Sequence, residues 1–124
     1  MKDNILADKS YAFAVDIVKT CKLLILKHEF IFAGQLLRSG TSIGANVREA
    51  IGAQSRRDFI SKISIAYKEA LETEYWLQLL RDGGILEHDR TQEFLLKNQE
   101  IIRIITRILL TTKSNDRNSE SPDQ

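Results

Sequence analysis

Residues 59–84, FISKISIAYKEALETEYWLQLLRDGG, decide the fold class. Phe59, Ile63, Ala66, Ala70, Leu77 and Leu80 recur at steps of three, four and seven, which lays them along one face of an α-helix. Gly83 and Gly84 close the run, since glycine accepts the left-handed backbone that ends a helix. Upstream, Ser55 is placed to cap the first turn, with Asp58 three residues further on.

The pattern repeats on both sides. Before it, Leu36, Gly40, Ile43, Val47, Ala50 and Ile51 line one face of a helix running to about Ala53, separated by the polar stretch Lys27–Phe30 from an earlier helix over about 7–27. That first helix carries Ala14, Ile17, Cys21 and Leu24, with Val18 and Ile25 beside them. After it, Asp89 is placed as a cap with Gln92 returning the bond, and Phe94, Ile101, Ile105 and Ile108 follow, flanked by Leu95, Ile102 and Leu109, to an end near Lys113. The isoleucines invite a strand, but steps of three and four contradict its alternation. Pro122 is the only proline, so no ring breaks these helices. The expected fold is all-α: an antiparallel up-down-up-down four-helix bundle over residues 1–113. Residues 114–124 hold no large apolar side chain and are expected to form a disordered tail.

With 124 residues, 43% of them hydrophobic, the chain can bury one core without metal or disulfide staples. Eighteen basic and seventeen acidic residues leave a net charge of +1, so any charged partner must be recognised by a local patch. Cys21 is the only cysteine, which excludes an internal disulfide, and the N-terminus lacks the apolar run of a signal peptide. Charges punctuate every apolar segment, so no membrane span is expected. These features predict a soluble, cytoplasmic protein.

Residues 35–53, QLLRSGTSIGANVREAIGA, place Gly40, Gly44 and Gly52 within a helix at about 1 kcal/mol each relative to alanine. Close packing of a neighbouring helix over Gly40 and Gly44 offsets that cost. A phosphate-cradling loop fails for want of the Gly-Lys-Ser/Thr ending and a preceding strand. Gln35, Ser39, Ser42, Asn46 and Glu49 form a polar stripe within about 80° of the same helix, poor in lysine and suited to partial burial against a helix or a subunit. Glu74 falls on the apolar side of the third helix and is expected to be at least half buried and hydrogen-bonded. His28 and His88 fall in turns, with no Glu-x-x-His motif, so neither metal nor cofactor is expected. Arg38, Arg48, Arg56, Arg57 and Lys62 make a modest basic patch, the candidate for nucleic-acid contact. Ser39 and Ser42 have no histidine on their helix to activate them, and no catalytic residue is assigned.

The run Leu36-Leu37-Arg38-Ser39-Gly40-Thr41-Ser42-Ile43-Gly44-Ala45-Asn46-Val47-Arg48-Glu49-Ala50 resembles the signature helix of the bacterial four-helix bundle family, the 23S rRNA intervening-sequence proteins. Residues 66–80, AYKEALETEYWLQLL, are similar to that family's second motif, and the likeness covers about residues 5–113. It implies four antiparallel helices assembled into a homopentamer, as in related accessory proteins of diversity-generating retroelements, which bind nucleic acid and work with a reverse transcriptase. The resemblance carries over Ser42, Asn46, Glu49 and Glu72 by position as structural residues, beside Gly40, Gly44 and Glu74.

Ile65, Trp76 and Leu79 lie outside the core sector of the third helix; with Gln35 and Ser39 they are the candidate oligomer interface. Two functions stand open. One is a non-enzymatic oligomeric scaffold that contacts RNA, DNA or a nucleic-acid enzyme such as a reverse transcriptase. The other is a structural protein-interaction module that never touches nucleic acid.

Overall fold

A computed structural model describes residues 4–120, with side chains described to residue 115. Four helices follow in order: α1 (Ile5–Leu26), α2 (Phe30–Ile51), α3 (Arg56–Asp82) and α4 (His88–Glu120). Sequential neighbours α1–α2, α2–α3 and α3–α4 pack along their lengths, and α4 returns to α1 to close an antiparallel bundle. The all-α expectation is met. No helix among the described residues is long and apolar enough to cross a membrane.

The core is one cluster drawn from all four helices, including Phe13, Ile17, Leu24, Leu36, Ile43, Ile63, Leu77, Leu80, Ile101 and Ile105. Phe13 and Phe94 meet edge to face at 6.2 Å, joining α1 to α4. On α1 the buried face is rotated from the expected one: Ser10, Phe13 and Thr20 lie inside, while Val18 and Ile25 are half exposed. Ile51 is likewise exposed at the end of α2. The buried face of α1 runs through Leu6, Ser10, Phe13, Ile17, Thr20, Cys21 and Leu24, which leaves Val18 and Ile25 beside it, and Ile51 is the last residue of α2. Ser10 donates to the Ala7 carbonyl at 3.3 Å.

Gly40 and Gly44 of α2 face α1. A Cβ on Gly40 would come within 2.9 Å of Ile17, and one on Gly44 within 3.3 Å of the Ser10 carbonyl oxygen. Helix–helix approach is what offsets their cost, as expected.

The helix ends follow local chemistry. Asn4 caps α1 by accepting from the Ala7 amide at 2.9 Å, three residues before the expected start. Ser55 caps α3 by accepting from the Asp58 amide at 3.0 Å. At the end of α3, Gly84 is left-handed at φ 77°; its amide donates to Arg81 O and that of Ile85 to Leu80 O. This paired closure repeats after α1, where His28, at φ 63°, takes the left-handed position, its amide donating to Ile25 O and that of Glu29 to Leu24 O. Phe30 belongs to α2, not to the turn.

Two expectations for α4 are corrected. Glu87, not Asp89, caps it, its carboxylate accepting from the amides of Asp89 and Arg90 at 3.0 and 2.9 Å. Gln92 instead accepts from the Arg81 guanidinium. The helix also passes Lys113 and continues to Glu120, since no glycine or proline interrupts 113–120. Of the tail expected to be disordered, 114–120 is therefore helical, and 121–124 lies outside the described residues.

Candidate functional site

The polar stripe of α2 faces α3, and the seam between them gathers most of the residues singled out by sequence. At its centre, Arg38 reaches across to two carboxylates one turn apart on α3: it donates to Glu69 at 3.2 Å and forms an ion pair with Glu72. It also donates to Gln35 of its own helix at 3.2 Å. Glu72 takes a further bond from the Trp76 indole N–H at 2.9 Å, which fixes the half-buried ring along the seam.

Beneath this charged layer, Thr73 donates to Ser39 at 3.0 Å with both side chains fully buried, an α2–α3 bond inside the core. Ser39 is thereby corrected: it is interior, and cannot line a subunit contact. Ser42 donates to the Arg38 carbonyl at 2.7 Å and the Asn46 amide to the Ser42 carbonyl at 2.8 Å, so both return their polarity to their own helix. Towards the α2–α3 turn, Lys62 pairs with Glu49 at 3.0 Å. The hydrogen bond that Lys62 donates to Glu49, then the charge of Glu49, hold the Lys62 ammonium above its ordinary pKa.

Glu74 departs from expectation in one respect. It is half buried, yet it makes no hydrogen bond or ion pair among the described residues. Glu69 and Glu72 take the polar role instead, because they, not Glu74, lie on the α2 side of α3.

The five cations of the candidate patch are divided. Arg38 and Lys62 are neutralised within the chain, and the Arg48 guanidinium sits over the Tyr11 ring, 5.8 Å from its centre. Arg56 and Arg57 are exposed at the start of α3, and Arg56 has a partner of its own. The structure brings Arg48, Arg57 and Lys62 to one end of the bundle and leaves Arg38 two turns or more from them.

Of the candidate interface residues, Ile65 and Leu79 are 39% and 40% exposed, while Gln35 and Trp76 are half buried. Sequence reasoning passed over Leu71 and Tyr75, which are 41% and 56% exposed. A spacing of four aligns them with Leu79 as a ridge opposite the core face of α3. That spacing was the signal. Thr73 was legible in the same way, filling the gap between Ala70 and Leu77 on the buried face.

Cys21 is buried on α1, where desolvation pushes its thiol up to about 11. His28 packs edge to face on Phe30 at 5.5 Å, and His88 lies 3.1 Å from Asp89 at the surface. Among the described residues no three His, Cys, Asp or Glu side chains converge as a metal-ligand set.

Residues 2–107 match the family described as 23S rRNA-intervening sequence protein. The chain belongs to that family. Among solved structures, a protein of unknown function from the S23 ribosomal protein family of Bacteroides thetaiotaomicron VPI-5482 is similar at 46% identity, with a TM-score of 0.82. That match covers 85% of this chain and 98% of the other. No curated protein matches. The family region spans the α2–α3 seam and both motifs from which the resemblance was read.

Proposed function

We propose that the protein is a non-enzymatic, self-associating helical scaffold of the cytoplasm, with the outer face of α3 forming its subunit contact. The ridge of Leu71, Tyr75 and Leu79 carries this reading, because a helix already covered on its core side has no internal use for a second apolar face. A homopentamer is the stoichiometry that the family resemblance suggests. Supporting the non-enzymatic part, the one thiol is held neutral, and the charged groups of the seam are engaged with one another as a structural network. Cytoplasmic reducing conditions suit a free, buried Cys21.

The test is a double substitution, Tyr75→Lys with Leu79→Glu. The assembly falls to single chains with helicity unchanged on circular dichroism; an unaltered particle mass contradicts the assignment of this face. A second reading, contact with RNA, DNA or a nucleic-acid enzyme such as a reverse transcriptase, is favoured by the cations Arg48 and Arg57 near the α2–α3 turn, neither of which pairs with a carboxylate among the described residues. Salt-sensitive oligonucleotide binding that weakens on neutralising both would support it.

A further inference from the structure

Threonines inside helices return their hydroxyl to the carbonyl four residues back, and Thr41, Thr73, Thr91, Thr106 and Thr112 do so here at 2.6 to 2.8 Å. Thr20 of α1 does not. It is only 6% exposed, yet its hydroxyl makes no hydrogen bond among the described residues. A buried hydroxyl is costly to leave unpaired, so its placement calls for a partner from outside the chain. Thr20 lines a cavity of about 210 Å³ between the C-terminal half of α1, the α3–α4 turn and the start of α4. The other walls are apolar: Leu23 and Leu24 from α1, Ile85 and Leu86 from the turn, and Phe94 from α4. An apolar cavity of about 150 Å³ accepts benzene, so this one has room for a six-membered ring with a short substituent.

The charged groups of the lining are Lys27, Glu87 and Arg90. Glu87 is engaged, its carboxylate accepting from the amides of Asp89 and Arg90. The Lys27 ammonium and the Arg90 guanidinium are exposed and meet no carboxylate among the described residues. Ion pairs Lys9–Glu100 and Lys97–Asp16, at 3.3 and 3.4 Å, set α1 antiparallel on α4. The same register carried one turn further along α1 brings Thr20 across from the opening turns of α4, which hold Arg90. The hydroxyl and the guanidinium therefore share one level of the bundle, with Leu24, Ile85 and Leu86 beyond them towards its end.

We infer that this cavity binds a small organic monocarboxylate whose apolar body is about the size of one ring. Its carboxylate accepts from the Thr20 hydroxyl and pairs with Arg90, while the body lies against the leucines and Phe94. Both protein groups can donate, and guanidinium cannot accept, which selects an oxyanion. A pure hydrocarbon would leave Thr20 unpaired, and an inorganic anion would leave the apolar walls unused. The site is separate from the α3 ridge and from the cations near the α2–α3 turn.

Isothermal titration calorimetry on the full chain tests this with three probes: phenylacetate, its neutral analogue phenylacetamide, and acetate. Phenylacetate should saturate with a Kd at or below about 1 mM, and acetate should not saturate over the same range. Arg90→Gln should weaken phenylacetate about tenfold and leave phenylacetamide unchanged. Thr20→Val keeps the shape and removes only the hydroxyl; it should weaken phenylacetate about fivefold and melt no lower than the wild type, since no bond within the fold is lost. Leu86→Trp, with helicity checked by circular dichroism, should fill the cavity and abolish binding. Phenylacetate that fails to saturate, acetate or phenylacetamide that binds as tightly, or binding that survives Leu86→Trp overturns the inference. So does a Thr20→Val variant that binds like the wild type or melts lower. Particle mass measured on the same samples tests the scaffold reading separately.

Discussion

At the residue scale, the glycines and the one left-handed histidine show how local geometry sets stability. Gly34 has open space where a Cβ would go, so Gly34→Ala should stabilise the protein by about 1 kcal/mol through helix propensity alone. Gly40→Ala gains the same propensity but drives its Cβ into Ile17, and the cost of overpacking, about 1–3 kcal/mol, should make it net destabilising. Urea denaturation of the two variants checks the opposite signs; equal shifts would refute the packing role of Gly40. His28→Gly removes a strained left-handed non-glycine residue and should add about 1 kcal/mol. Cys21 gives a pH signature. Its thiol is pushed up to about 11 from 9.0, so the fold favours the neutral form. That stability is fully present below pH 9 and is lost as the pH rises from 9 towards 11. Within the same window the native thiol should resist alkylation that the unfolded chain undergoes, and equal rates in the two states would contradict its burial.

At the scale of elements, sequence resolved the helices far better than their ends or their side-to-side contacts. The buried face of α3 was legible because Ile63, Ala66, Ala70, Leu77 and Leu80 keep one period, and the Ser55 cap and Gly84 closure use the residues that such positions favour. The start of α4 was missed because Glu87 and Asp89 are both plausible acceptors two residues apart, and only the backbone path selects between them. Which acid meets Arg38 was beyond a single-helix reading, since Glu69, Glu72 and Glu74 differ only in the side of α3 from which they project. Ser39 was ambiguous for a related reason. A serine on a polar stripe reads as surface until Thr73 is found across from it. Ser55→Ala should cost about 1 kcal/mol by freeing the Asp58 amide, and hydrogen exchange should show the loss concentrated in the first turn of α3. Protection unchanged there would mean that the cap is dispensable.

For the whole molecule, a net charge of +1 conceals an uneven distribution: carboxylates neutralise the α2–α3 seam, while Arg103 and Arg107 of α4 make no ion pair among the described residues. Apolar surface is uneven too, with the α3 ridge on one side of a bundle whose core is already complete. On the proposed reading, the α3 ridge is the face for self-association, apart from the exposed arginines of α4. The scaffold claim rests on that ridge. Sedimentation equilibrium of the unmodified chain at micromolar concentration tests it most directly: the account predicts one species at a multiple of 14.2 kDa, fivefold if the family resemblance holds, and a single species at 14.2 kDa would contradict it.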